Sequence, residues 1–132
     1  MVDIDTASEI LDVGAGTGVC GVLLREKGFT NIVGADASAS LLKKLDETGA
    51  YKESRCMFFG LGLDKYPDDL KNRFHLVVAG GVWLEGHIPA CGFDDVHASL
   101  KPYGYCVTAM RTTYWTSGQK DGYKDKVDEM IA

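Results

Sequence analysis

The stretch Ile10-Leu11-Asp12-Val13-Gly14-Ala15-Gly16-Thr17-Gly18 decides the fold. An apolar run carries one carboxylate and ends at Val13. Glycine then stands at every second position, and Val19, Val22, Leu23 and Leu24 follow at helical spacing. Glycine admits positive φ and leaves no Cβ between the main chain and a ligand. The amides of residues 15–19 fall at the positive end of the following helix, where a polar or anionic group is stabilised. Strand, tight turn and helix in this order have the shape expected of a nucleoside-cofactor site at the carboxyl end of a central parallel strand.

Two registers fit the glycines. Gly16, Gly18 and Gly21 match the dinucleotide fingerprint G-x-G-x-x-G. That register leaves Gly14 and Ala15 as spare turn residues and gives Asp12 no role. Starting at Gly14 uses Asp12, Gly14, Gly16 and Gly18, and this resembles the acidic-x-Gly-x-Gly-x-Gly loop of S-adenosylmethionine (SAM) methyltransferases. A ligand-free turn is disfavoured, because three alternating glycines cost backbone entropy that a plain turn does not need.

The 132 residues suffice for one domain with a core, expected to span 1–132. The chain is 45% hydrophobic and 25% charged, ordinary for a globular protein. Net charge is −5 and no basic cluster is denser than Lys43-Lys44, so nucleic acid is a poor main partner. Cys20, Cys56, Cys91 and Cys106 lack C-x-x-C spacing, which argues against a zinc site or a disulfide framework; free, mostly buried thiols are expected. No metal site is expected. No stretch is apolar enough to span a membrane and no signal-peptide pattern appears, so the expected location is cytoplasmic.

Outward from the glycine stretch, strands and helices alternate. Strand 1 covers Glu9 to Val13, and its helix stops at Lys27-Gly28. Strand 2 runs from Asn31 to Ala35 and is closed by Asp36. Ser38 caps a helix from Ala39 to Thr48 with Leu41, Leu42 and Leu45 as its buried stripe. Tyr51 to Arg55 reads as a connector, and Cys56-Met57-Phe58-Phe59 as strand 3. Lys65 to Arg73 holds at most a short helix. Phe74 to Ala79 reads as strand 4, buried on both faces. A helix from Ala90 to Leu100, a turn at Lys101-Pro102-Tyr103-Gly104, strand 5 from Tyr105 to Met110 and a helix from Asp121 to Ile131 complete the series. Five strands alternating with helices predict an α/β, Rossmann-like three-layer sandwich with a mostly parallel sheet.

Four landmarks make the chain resemble the class I SAM-dependent methyltransferases: the loop 12–18, Val33-Gly34-Ala35-Asp36-Ala37-Ser38, Phe74-His75-Leu76-Val77-Val78-Ala79-Gly80, and Leu100-Lys101-Pro102-Tyr103-Gly104. The last is similar to the family's Leu-Lys-Pro-Gly-Gly turn, with Tyr103 in place of the first glycine. His75 stands where the family usually has Asp. The segment Gly80 to Pro89, with Tyr123-Lys124, is similar to a narrower group of methyltransferase-like proteins.

The resemblance implies roles. Gly14, Ala15 and Gly16 approach the methionine part of SAM, with Asp12 nearby; Gly80 and Gly81 pass beneath it. Asp36 accepts hydrogen bonds from both ribose hydroxyls, Ala37 flanks the adenine, and Leu61 and Gly62 hold its edge. A carboxylate suits a cis-diol in any case, although NAD carries the same diol. Methyl transfer chiefly needs positioning of nucleophile, methyl and sulfur in line, so no catalytic residue need be visible. Glu85 and His87 are weak candidates for one, and each reads more readily as a solvated loop residue. Trp83 and Arg111 are candidate substrate contacts.

The family usually begins with lid helices and continues to an antiparallel strand pair. Both are expected to be lacking here, leaving strand 5 as an edge open to self-association and turnover weak. The expected activity is methyl transfer from SAM, yielding S-adenosylhomocysteine (SAH), to a small-molecule or protein acceptor. An NAD-dependent oxidoreductase domain and a non-catalytic SAM-fold scaffold stay open as alternatives.

Overall fold

The computed structural model describes residues 4–80, 88–109 and 122–131. Its sheet is five-stranded and wholly parallel, in the order β3-β2-β1-β4-β5. The strands are β1 (Ile10–Val13), β2 (Ile32–Asp36), β3 (Glu53–Cys56), β4 (Phe74–Gly80) and β5 (Leu100–Ala109). The helices are α1 (Val19–Glu26), α2 (Ala39–Glu47), α3 (Gly92–Ser99) and α4 (Tyr123–Ile131). This is the expected α/β architecture. Alternation along the strands divides the core. Leu11, Val13, Val33, Ala35, Val77 and Ala79 point to one face and pack with Phe74, Phe93, Val96 and Tyr123. On the other face Leu42 and Leu45 of α2 close over Ala15 and Tyr51.

Local signals act where they are read. Ser38 Oγ accepts from Leu41 N at 3.3 Å to cap α2, and Gly28 and Gly49 follow α1 and α2 with φ of 97° and 68°. Among the described residues, no helix is long and apolar enough to cross a membrane.

Several expectations are corrected. Strand 3 is Glu53–Cys56, earlier than the apolar run 56–59. As an edge strand it tolerates half-exposed charged side chains, and Glu53 and Arg55 pair there at 2.5 Å while Arg73 reaches Glu53 at 3.4 Å. The apolar run instead leaves the strand, with Phe59 buried and Phe58 exposed. The apolar stripe of α1 faces outward: Val19 is 68% exposed, Val22 and Leu23 are also exposed, and only Gly21 is buried. Leu41 of α2 is exposed too. β4 is not buried on both faces, since His75 is exposed and Val78 half-buried; the adjacent Tyr105 and Val107 of β5 are exposed on the same face as Val78. All four cysteines are free as expected, but each is exposed.

β5 begins at Leu100, so the expected turn 101–104 is a bulge inside the strand. Phe74 pairs with Leu100 and Leu76 with Tyr105. Tyr103 takes a φ of 65° there and is 98% exposed, standing in the left-handed conformation that glycine reaches without strain.

Candidate functional site

The carboxyl ends of β3, β2, β1 and β4 lie side by side along one edge of the parallel sheet, and the loops that follow them bound the candidate crevice. β1 ends at Val13, and Gly14, with φ of 67°, starts the turn. The amides of Gly14 and Ala15 both donate to the Ala35 carbonyl, at 2.8 and 3.0 Å, which ties the turn to β2. Gly16 and Gly18 follow with φ of 56° and 96°. A residue with a Cβ is strained at all three positions.

Asp36 organises the next layer. Its Oδ2 accepts from Gly16 N at 2.9 Å and its Oδ1 from Ser38 N at 2.9 Å. The carboxylate therefore joins the glycine turn to the start of α2. An ionised carboxylate has about four lone-pair positions, so each oxygen keeps capacity for a further donor. Ala37, beside it, is exposed. Met57 N donates to the Asp36 carbonyl at 2.9 Å, bringing the segment after β3 alongside. Leu61 is exposed on that segment. On the other flank Val13 pairs with Ala79, which sets Gly80 beside Gly14.

The glycines fall into two groups. Among the described residues, a Cβ on Gly16 or Gly80 would meet nothing within 4 Å. A Cβ on Gly21 or Gly34 would stand 2.1 or 2.9 Å from the Tyr51 ring. Tyr51 crowds both, and Leu45 Cδ1, 3.0 Å from a Cβ at Gly34, crowds the second as well.

Asp12 is 2% exposed and lies behind the turn, on the sheet face that α1 and α2 cover. Its Oδ2 accepts from Tyr51 Oη at 2.6 Å. Burial pushes its pKa up to about 6; the Asp36 charge adds to the rise and the Tyr51 hydrogen bond opposes it. The folded state thus holds this proton more tightly than an unfolded chain with the ordinary value of 3.8. Stability contributed by that proton is lost as pH rises from 3.8 to about 6 and does not return above it. Asp12→Asn keeps an acceptor for Tyr51 but carries no charge. It is expected to stabilise the ligand-free domain by about 2 kcal/mol at pH 7.5 and by nothing near pH 4. Urea unfolding of both proteins at the two pH values measures the difference.

Two groups escape sequence reading. Tyr51, expected to be part of a connector, is one. Asp95 of α3 is the other: it is 2% exposed, and its Oδ2 accepts from Gly60 N at 2.6 Å. That bond anchors the segment leading to Leu61 and Gly62. Its Oδ1 has no hydrogen-bond partner among the described residues, and burial raises its pKa. The signal for both is a contact between residues far apart in sequence, which no local pattern carries. Gly81, Trp83, Glu85, His87 and Arg111 lie outside the described residues. Among the described residues no cluster of His, Cys, Asp and Glu could hold a metal ion. An apolar cavity of about 300 Å³ between α3, β5 and α4, walled by Phe93, Leu100, Val127 and Met130, shares no residue with the crevice.

The parallel sheet, the turn beginning at Gly14 and the carboxylate at the tip of β2 define a Rossmann-like domain of the class I methyltransferase type. Residues 10–104 match the family described as "Methyltransferase domain", and the chain belongs to it. Over 121 residues it is 28% identical to human methyltransferase-like protein 27, covering 92% of this chain and 48% of that protein. The chain thus spans about half the length of the curated relative it matches. Among solved structures it is similar to a SAM-dependent methyltransferase from Mesorhizobium loti (26% identity, 77% of this chain and 46% of that one, TM-score 0.57). It also resembles a TehB-like SAM-dependent methyltransferase from Corynebacterium glutamicum (18% identity, 96% and 66%, TM-score 0.71).

Proposed function

We propose that this domain binds SAM in the crevice at the ends of β1 to β4 and takes part in methyl transfer to a small-molecule or protein acceptor. The observation that carries the reading is the pairing of Gly16 N with Asp36 Oδ2 at 2.9 Å. It sets a carboxylate suited to a diol against a glycine turn at Gly16, where a Cβ would meet no atom of the described residues. The turn begins at Gly14, directly after β1. That register gives Asp12 a place and favours SAM over a dinucleotide.

SAM brings a methyl group already activated on a sulfonium. The residues of this chain need only bind and orient. Asp36 takes the ribose hydroxyls, with Ala37, Leu61 and Gly62 along the adenine. Gly14, Ala15, Gly16 and Gly80 leave room for the methionine part, to which Gly81 is assigned as well, and Asp12 stays behind the turn. Such positioning supplies up to roughly 7–11 kcal/mol of a transfer barrier. Glu85 and His87 remain candidates for a proton acceptor, and Trp83 and Arg111 for acceptor contacts. The outer edge of β5, unpaired among the described residues, offers a place for a further strand or a second copy.

Isothermal titration with SAH and NADH tests the reading. Binding of SAH without NADH supports it. Binding of NADH alone transfers the assignment to a hydride-transfer domain.

A further inference from the structure

We propose that Tyr51 is the positioning residue of the cofactor turn, capping α1 with its hydroxyl and holding Asp12, so that the backbone from Gly14 to Gly18 is fixed at both ends. The ligand arm of its test rests on the SAM reading above. The first amides of a helix have no partner within it, and a Ser, Thr, Asp or Asn at the N-cap ordinarily accepts one of them. The N-cap of α1 is Gly18, with φ of 96° and no side chain to offer. The third amide of α1, Gly21 N, donates instead to Tyr51 Oη at 2.8 Å. The same hydroxyl donates to Asp12 Oδ2 at 2.6 Å. A phenol has one proton to give, and here it is committed to the carboxylate while the oxygen receives the amide.

The surroundings are shaped to admit the ring. Neither Gly21 nor Gly34 has a positive φ, so backbone conformation does not require glycine at either position. Space does: a Cβ at Gly21 would lie 2.1 Å from Tyr51 Cζ, and one at Gly34 2.9 Å from Cδ2. A glycine within a helix and another within a strand both weaken their elements. They are retained around one side chain that reaches the two ends of the turn. Asp12 is faced by Tyr51, by Asp36 from the end of β2 and by Cys20 from α1. Burial and the Asp12 charge push the Cys20 thiol up to about 11, so it stays neutral.

Tyr51→Phe keeps the ring and removes only the hydroxyl. Amide exchange by NMR is expected to quicken at least tenfold at Gly21, and the Asp12 carboxyl titration to move upward. SAH affinity is expected to fall about tenfold. Affinity for 5′-methylthioadenosine, which lacks the amino-acid part that the turn receives, should change less than threefold. A residue acting only through general stability would weaken both ligands equally, and that result overturns the proposal, as does unchanged Gly21 exchange. If the variant does not fold, the wild-type protein decides: a nuclear Overhauser contact between the Tyr51 hydroxyl proton and the Gly21 amide is required, and its absence refutes the cap. Wild-type protein that binds neither ligand refutes the SAM reading, while Gly21 exchange still decides whether Tyr51 holds the turn.

Discussion

Gly21→Ala is expected to destabilise the domain by about 3 kcal/mol and to lower its melting temperature by about 10 °C. The new methyl would fall 2.1 Å from Tyr51 Cζ, 2.3 Å from Cε1 and 2.5 Å from Oη, so the ring must leave its place. Leaving breaks the bond from Tyr51 to the Asp12 carboxylate, worth about 1.5–3 kcal/mol as a charge-assisted bond, and the bond from Gly21 N, worth about 1 kcal/mol. Helix propensity returns about 1 kcal/mol for replacing glycine by alanine. The balance is strongly unfavourable only because of Tyr51. In a Tyr51→Ala background the same Gly21→Ala substitution is therefore expected to stabilise the domain by up to about 1 kcal/mol. Urea unfolding of the four proteins gives the coupling. Equal costs of Gly21→Ala in both backgrounds would contradict this account.

Asp36→Ala is expected to weaken SAH binding by about 10²–10⁴-fold. The two charge-assisted hydrogen bonds proposed from Asp36 to the ribose hydroxyls would contribute about 1.5–3 kcal/mol each. The substitution also frees the amides of Gly16 and Ser38, which the carboxylate holds at 2.9 Å each. Turn geometry and diol binding are thus lost together. Asp36→Asn separates them in part: its one amide oxygen can keep a single backbone amide, and it should bind SAH more tightly than the alanine variant but well below wild type. Calorimetric titration measures all three. A loss under tenfold for Asp36→Ala would place the diol on other residues.

The elements legible in the sequence were those that local chemistry decides. The turn at Gly14, Gly16 and Gly18 needs positive φ at each glycine and takes it. Ser38 caps α2 through an atom three residues away from its donor, and Asp36 closes β2 whatever the rest of the chain does. Strand 3 was misplaced because the apolar run 56–59 looks more like a strand than Glu53-Ser54-Arg55-Cys56 does. Its position at the sheet edge lets ion pairs replace apolar burial. The outward face of α1 was missed for a related reason: Val19 and Leu23 carry the periodicity of a buried stripe, but the helix meets its neighbours through Gly21. Tyr51 was out of reach altogether, since its partners lie 39 and 30 residues away and no pattern around position 51 points to them. Asp95 and its bond to Gly60, 35 residues apart, belong with it.

The ring of Tyr51, seated where two glycines leave room, also constrains how this sequence can diverge. A lineage that gives up Tyr51 first passes through a merely weakened protein and then has room for a larger side chain at position 21, while Leu45 still crowds position 34. A lineage that fills either position first must cross a clash, with a Cβ 2.1 or 2.9 Å from the ring. Substitutions at the three positions are therefore expected to be tolerated in one order, Tyr51 before Gly21. Once alanine or valine has settled at position 21, return of the tyrosine is closed off, because its place no longer exists.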